Sequence, residues 1–231
     1  ERITSKEKMQ DPDHPLTILI CRNDQSVGLI GAEGSYDLKI RPEEFGDMTH
    51  NLKALVRDLG ESQKSGGTGM GTYGFGKEVS YEHSRARLVL YYSSLRVPYQ
   101  NKFASHPDKE ITRRLIGVNW LEADIDMGMG PKRMHKSHFG VKEDLDFLGH
   151  GYEGETSVRS LYNDEADAAA EGMGLRIRSP EDHGTTILII DFFDYDDSEQ
   201  QDPKSLLKRI LRSQEEYYYP KLHDDELSCS A

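Results

Sequence analysis

Cysteine is nearly missing from this chain: two occur among 231 residues, Cys21 and Cys229, at opposite ends. A disulfide scaffold and a CxxC zinc site are therefore excluded, and a reducing compartment is the expectation. Basic residues are also short, with 29 Lys and Arg against 41 Asp and Glu, a formal net charge of −12. That balance argues against direct nucleic-acid binding, which needs cations against phosphates. A small anion needs only a local pocket of donors, so a nucleotide remains admissible. No apolar run approaches the ~20 residues of a membrane-spanning helix, and residues 1–15 hold no apolar stretch of the kind that directs secretion. The expectation is a cytoplasmic protein without membrane contact. A GxSxG nucleophile elbow and internal repeats are absent as well.

What is present fits one large domain with appendages, at ~150 residues per domain. We expect a polar segment at 1–15, a principal domain at 16–192, and an acidic linker with a C-terminal helix at 193–231. Apolar, partly β-branched runs predict strands at 16–21, 86–93, within 111–125, at 175–178 and at 186–191. Apolar spacing predicts helices over 42–59, where Leu52, Leu55, Val56 and Leu59 share a face, and over 205–217. A further short helix is expected from about Lys77. Residues 127–160, rich in Gly and charge, read as a long functional loop. Strands and helices lack a βαβ rhythm, so the fold class is α+β, a two-layer sandwich.

The densest signal is Ser65-Gly-Gly-Thr-Gly-Met-Gly-Thr-Tyr-Gly-Phe-Gly-Lys77. Glycines let backbone N–H groups surround phosphate oxygens, since no Cβ stands in the way. A plain linker would show Gly/Ser monotony rather than interleaved Met70, Tyr73 and Phe75. Three phosphate motifs compete for these letters. Gly71-xxxx-Gly76-Lys77 has P-loop spacing, but Glu78 stands where a Ser or Thr should hold magnesium. Gly69-x-Gly71-xx-Gly74 matches a dinucleotide fingerprint, yet both motifs should directly follow a strand, and a helix and a polar loop precede this one. Gly71-xx-Gly74-x-Gly76 also suits the hinge of a lid that folds over ATP.

The order of motifs along the chain resembles the GHKL ATPase superfamily, which includes gyrase B, Hsp-ninety-type chaperones, histidine kinases and MutL. A hydrophobic strand leads to Asp24-Gln-Ser-Val-Gly28, similar to the family's DxGxG, with Ser26 in place of the first glycine. The helix follows, then Gly60-Glu-Ser-Gln-Lys64 and the lid glycines Gly71, Gly74 and Gly76. His183-Gly184-Thr185 then opens a strand like the closing GT motif. The resemblance spans roughly 16–192. It implies a Bergerat-type α+β sandwich with a mixed sheet that binds ATP and Mg2+. Asp24 would accept from the adenine amine, with Gly28 and Gly184 leaving room for the ring. Thr185 would hold the Asp24 carboxylate or a bridging water, and Lys64 and Lys77 would meet the phosphates.

In this family lid closure is coupled to a conformational or dimerisation switch, so a homodimer or a downstream effector is implied. Stand-alone bacterial members of similar flavour are linked to anti-phage defence. The family's catalytic Glu and magnesium-binding Asn sit on a helix before DxGxG. Glu1 and Glu7 have no Asn at that spacing, and Asp11-Pro-Asp-His-Pro15 is unfit for a helix interior. We therefore expect a chain without its N-box helix, and no catalytic residue is assigned. The alternatives are a non-catalytic interaction module on the same fold, or a P-loop NTPase using Gly71–Lys77.

Other clusters read as surface. His135, His138 and His150 lie among Lys132, Arg133 and Lys136, which would repel a metal cation; they read as a basic loop. The acidic segment 191–202 lacks the glycine and terminal glutamate of an EF-hand. Tyr217–Tyr219 reads as packing rather than base stacking.

Overall fold

The computed structural model describes residues 16–31, 33, 50–57, 76–100, 109–123, 133–146, 153–193, 202 and 204–213. Two compact units divide the chain, Glu1–Phe192 and Phe193–Ala231. In the first, strands β1 (Ile18–Asp24), β8 (Gly184–Ile190), β2 (Leu88–Gln100), β3 (Glu110–Ala123) and β4 (Arg133–Phe139) lie side by side in that order. Strand β7 (Leu161–Tyr162) adds to β3, and β5 (Val141–Asp144) pairs with β6 (Thr156–Arg159) separately. The α+β class holds. Every pairing among the described residues is antiparallel, where a mixed sheet was expected.

Alternation along β2 and β3 sends their side chains to two cores. On one face Val89, Tyr91, Ile116, Val118 and Trp120 meet Leu29, Leu52, Val56 and Tyr81. On the other, Leu90, Tyr92, Leu115 and Leu188 meet Ala166 and Ala170. The first face is thus covered by a π-helical turn (Lys53–Arg57) and α1 (Gly76–Glu82), and the second by α2 (Asp164–Gly172). Helical cover lies on both faces, where two layers were expected, because this sheet is apolar on both sides. Tyr81 stacks on Trp120 with ring centroids 4.9 Å apart.

Helix α2 went unread in the sequence. Its run Asp-Glu-Ala-Asp-Ala-Ala-Ala-Glu-Gly gains from alanine propensity and from Asp164, Glu165 and Asp167 in the first turn, where the helix dipole favours anions. Tyr92 and Arg113 reach Asp167 from the sheet, at 2.7 and 2.8 Å. The expected strand at 175–178 is irregular, with no strand partner among the described residues; Leu175 and Ile177 pack beneath the sheet instead. The expected loop at 127–160 contains β4, β5 and β6. Polar content hid β4, which among the described residues pairs on one side only, a place where a strand tolerates charge.

Helix α1 begins at Gly76, close to the expected start, and residues 51–57 are helical within the expected 42–59. β2 runs past the expected end at 93, and its register against β3 shifts between Ser94 and Tyr99, a stretch that holds Pro98, a residue unable to donate to the ladder. In the second unit, residues 204–213 form a helix. Asp202 caps it, its carboxylate accepting from the N–H groups of Lys204 and Ser205 at 3.2 and 3.1 Å.

His138 on β4 gives the fold a pH dependence. Burial, with help from the charges of Arg57 and Lys136, pushes its pKa from 6.5 to about 4. His50 shifts the same way through burial and Lys53. Below pH 6.5 the unfolded chain binds protons that the native imidazoles refuse, so stability falls as pH drops towards 4. In urea titrations at pH 7.5, 5.5 and 4.5, His138→Gln should flatten that decline and leave the remainder to His50 and, at the lowest pH, to Glu165 and Asp24, whose carboxyl pKa values are lowered in the fold. An unchanged decline would count against this assignment.

Candidate functional site

The register of β1 and β8 sets Asp24 opposite Gly184 and Asn23 opposite Thr185. On the other side of β8, Ser94 faces Gly184 and Ser93 faces Thr185. The first and last motifs read from the sequence therefore meet at one end of the sheet. Gly184 is required there. Its φ is +144°, and a Cβ would run into the Asn23 carbonyl oxygen.

After β1 the chain turns back over the sheet through Val27–Gly31. Gly28 (φ +77°) lies so close to β2 that a Cβ would sit 2.6 Å from the Ser94 carbonyl oxygen and 2.8 Å from Ser93 Oγ. Every carbonyl from Val27 to Gly31 accepts a hydrogen bond. Arg96 N donates to Val27, Asn51 Nδ2 to Gly28, Leu52 N to Ile30, and Arg114 Nη1 to both Leu29 and Gly31. Leu29 N donates to buried Ser93 Oγ at 2.8 Å, and that hydroxyl donates to the Gly184 carbonyl at 3.0 Å. The turn is thus held rigid before any ligand arrives.

Direct contact of Thr185 with Asp24, one of the two arrangements expected of it, is not made. Thr185 Oγ1 lies 3.2 Å from Ser93 Oγ, not on the Asp24 carboxylate. That carboxylate is held by Arg178, whose Nη1 donates to Asp24 Oδ1 at 2.8 Å, and more distantly by Arg22 Nη2 at 3.4 Å. Both arginines also reach Asp182, at 2.9 and 2.7 Å. Arg178, Asp24, Arg22 and Asp182 form a closed ring of alternating charge. Burial pushes the Asp24 pKa up, but the hydrogen bond and charge of Arg178, with Arg22, hold it below the ordinary carboxylate value. Asp24 Oδ2 has no hydrogen-bond partner among the described residues, and the side chain is 53% exposed.

Of the other residues named from sequence, Gly76 and Lys77 form the start of α1. Lys64, Gly71 and Gly74 lie outside the described residues. Among the described residues no group of three His, Cys, Asp or Glu side chains could hold a metal ion.

Sequence reasoning missed Ser93, Arg178 and Arg114. Paired serines ending the apolar run Leu-Val-Leu-Tyr-Tyr were a signal for the first. Arg114 within β3 and Arg178 within an apparent strand are both fully buried, a place arginine seldom takes unless paired. Lys136, read as part of a basic loop, donates to the Arg57 carbonyl at 3.0 Å and lies over the Trp120 ring.

No helix among the described residues is long and apolar enough to cross a membrane. Comparison with known protein families, curated proteins and solved structures finds no match.

Proposed function

We propose that the chain binds ATP with Mg2+ at the β1–β8 end of its sheet, as the Bergerat-type domain of a GHKL-like protein. The observation that carries this reading is the meeting of Asp24 with Gly184 and Thr185 on adjacent strands. Gly28 packs against the next strand, and α1 opens at Gly76 where the glycine segment ends. An adenine amine needs an acceptor, and Asp24 Oδ2 offers one beside glycine backbone that leaves room for a ring. Mg2+ would be held through the nucleotide phosphates and waters. Closure of the Gly71–Gly76 segment over the nucleotide would then drive a conformational or dimerisation switch. The proposal covers binding; no general base for hydrolysis is assigned. A P-loop needs a strand directly before its glycines, and the sequence there, Gly60-Glu-Ser-Gln-Lys64, reads as a polar loop.

Asp24→Asn tests the reading. Arg178 would draw the amide oxygen towards itself and leave the NH2 group facing the ligand amine, donor against donor. Losing a hydrogen bond to a charged group costs ~1.5–3 kcal/mol, so the Kd for ATP measured by calorimetry should rise roughly 10- to 150-fold. Lys77→Ala should weaken binding by less. Abolition by Lys77→Ala with Asp24→Asn harmless would favour the P-loop. If ATP and Mg2+ leave the melting temperature of the chain unmoved, an interaction module stands instead.

A further inference from the structure

We propose that Arg178 is a positioning residue for nucleobase recognition: it fixes the Asp24 carboxylate so that Oδ2 alone faces the ligand. The inference rests on the nucleotide-binding reading and goes beyond it, to how one base is selected.

Arg178 is fully buried, and its guanidinium is used on all sides. Nε donates to Thr186 Oγ1 at 3.2 Å, Nη1 to Asp24 Oδ1 and Asp182 Oδ1, and Nη2 to the Asn23 carbonyl at 3.4 Å. Such a planar fork, tied at each nitrogen, cannot rotate away. It grips β1 through the Asn23 backbone and the Asp24 side chain together. Gly184 makes this geometry available, since a Cβ there would lie 3.2 Å from Arg178 Nη1.

The ring leaves one open acceptor. Asp182 spends Oδ1 on Arg178 and Oδ2 on Arg22, while Asp24 meets both arginines with Oδ1. Arg22, Arg178 and Asp182 are the charged groups facing Asp24; His183 is the next titratable group along the chain. A carboxylate without an attached proton can only accept, so the open oxygen favours a base with an exocyclic amine over one with a carbonyl at that position. Unfixed, the carboxylate could rotate or take up a proton and then donate. Arg178 does not itself touch the base.

The test measures the Kd of the full chain for ATP and for inosine triphosphate, which carries a carbonyl in place of the amine. The wild-type chain should prefer ATP roughly 10- to 150-fold, the range of one charged hydrogen bond. Arg178→Met should collapse this preference to within about threefold, even in molecules that retain their far-ultraviolet circular dichroism. Asp182→Asn, a milder change that loosens Arg178 without removing it, should lower the preference in the same direction. Arg178→Lys, retaining the charge but not the planar fork, should restore part of it. A purely structural Arg178 would lower the melting temperature and leave the ATP-to-inosine ratio of folded molecules untouched. An unchanged ratio in folded Arg178→Met, or in Asp182→Asn should Arg178→Met not fold, overturns this inference. Absence of ATP binding by the wild-type chain overturns the underlying reading instead.

Discussion

Replacing Glu33 by alanine is expected to destabilise the first unit by about 3–5 kcal/mol, the range for removing one partner from a buried charge cluster. Glu33 is fully buried. Its carboxylate accepts from Ser160 N at 3.1 Å, from Ser160 Oγ, and from Tyr162 Oη at 2.9 Å. The guanidinium groups of Arg57 and Arg114 each lie 3.9 Å away. Arg114 is itself fully buried, with Nε and Nη2 lacking hydrogen-bond partners among the described residues. Glu33 supplies the nearby negative charge, while the rings of Tyr99 and Tyr162 flank the guanidinium at 4.8 and 5.8 Å. Alanine would strip acceptors from two hydroxyls and an amide and leave that cation uncompensated.

The size of the loss separates charge from shape. Glu33→Gln keeps an acceptor and most of the volume, so it should cost less than alanine. Glu82→Ala removes a carboxylate that pairs with Arg87 at the surface, and should stay below ~1 kcal/mol. Urea unfolding followed by tryptophan fluorescence reports all three, since Trp120 lies in the first core. A Glu33→Ala cost below ~1 kcal/mol would show the cluster to be dispensable. Against a total stability of ~5–15 kcal/mol, the expected cost removes a large share.

Much of the sheet could be read from the chain because its central strands are apolar on both faces. Leu-Val-Leu-Tyr-Tyr and Thr-Ile-Leu-Ile-Ile announce β2 and β8 without regard to partners. β4 could not be read so: Arg-Met-His-Lys-Ser-His-Phe takes its place through pairing to β3 and the contacts of Lys136 and His138, which are tertiary facts. The segment at Leu175–Arg178 failed in the opposite sense. Its alternation is that of a strand, but no strand pairs with it among the described residues, so the pattern served burial alone. The candidate site divides in the same way. Asp24, Gly28, Gly184 and Thr185 were visible as motifs; the β1–β8 register brings Asp24 to Gly184 and Thr185, and Gly28 joins them by packing against β2. What holds Asp24 was not visible. A buried arginine looks like any other arginine until the fold shows it surrounded.

Gly184→Ala should cost about 3 kcal/mol or more and free the β1 edge, and a set of glycines within this chain can show why. Two penalties coincide at Gly184. Its φ of +144° is a conformation that side chains rarely adopt, costing of order 1–3 kcal/mol. The added methyl would also press the Asn23 carbonyl and crowd Arg178 Nη1, and overpacking of this kind typically costs a further ~1–3 kcal/mol. Gly174 isolates the first penalty, with φ +77° and nothing within 4 Å of an added Cβ. Gly174→Ala should therefore cost only about 1 kcal/mol. Gly172, at the end of α2, has neither problem, so alanine there should be neutral or stabilising by up to ~1 kcal/mol. The excess of Gly184→Ala over Gly174→Ala combines the closeness of β1 to β8 with the harsher backbone conformation at φ +144°. Hydrogen exchange adds the location: amides of Ile18–Asp24 should lose protection in Gly184→Ala while those of β2 and β3 retain theirs, because β8 is the one strand that β1 pairs with among the described residues. Equal costs at Gly184 and Gly174, with β1 still protected, would mean that the strand can move aside and that the grip of Arg178 on Asn23 and Asp24 tolerates the shift.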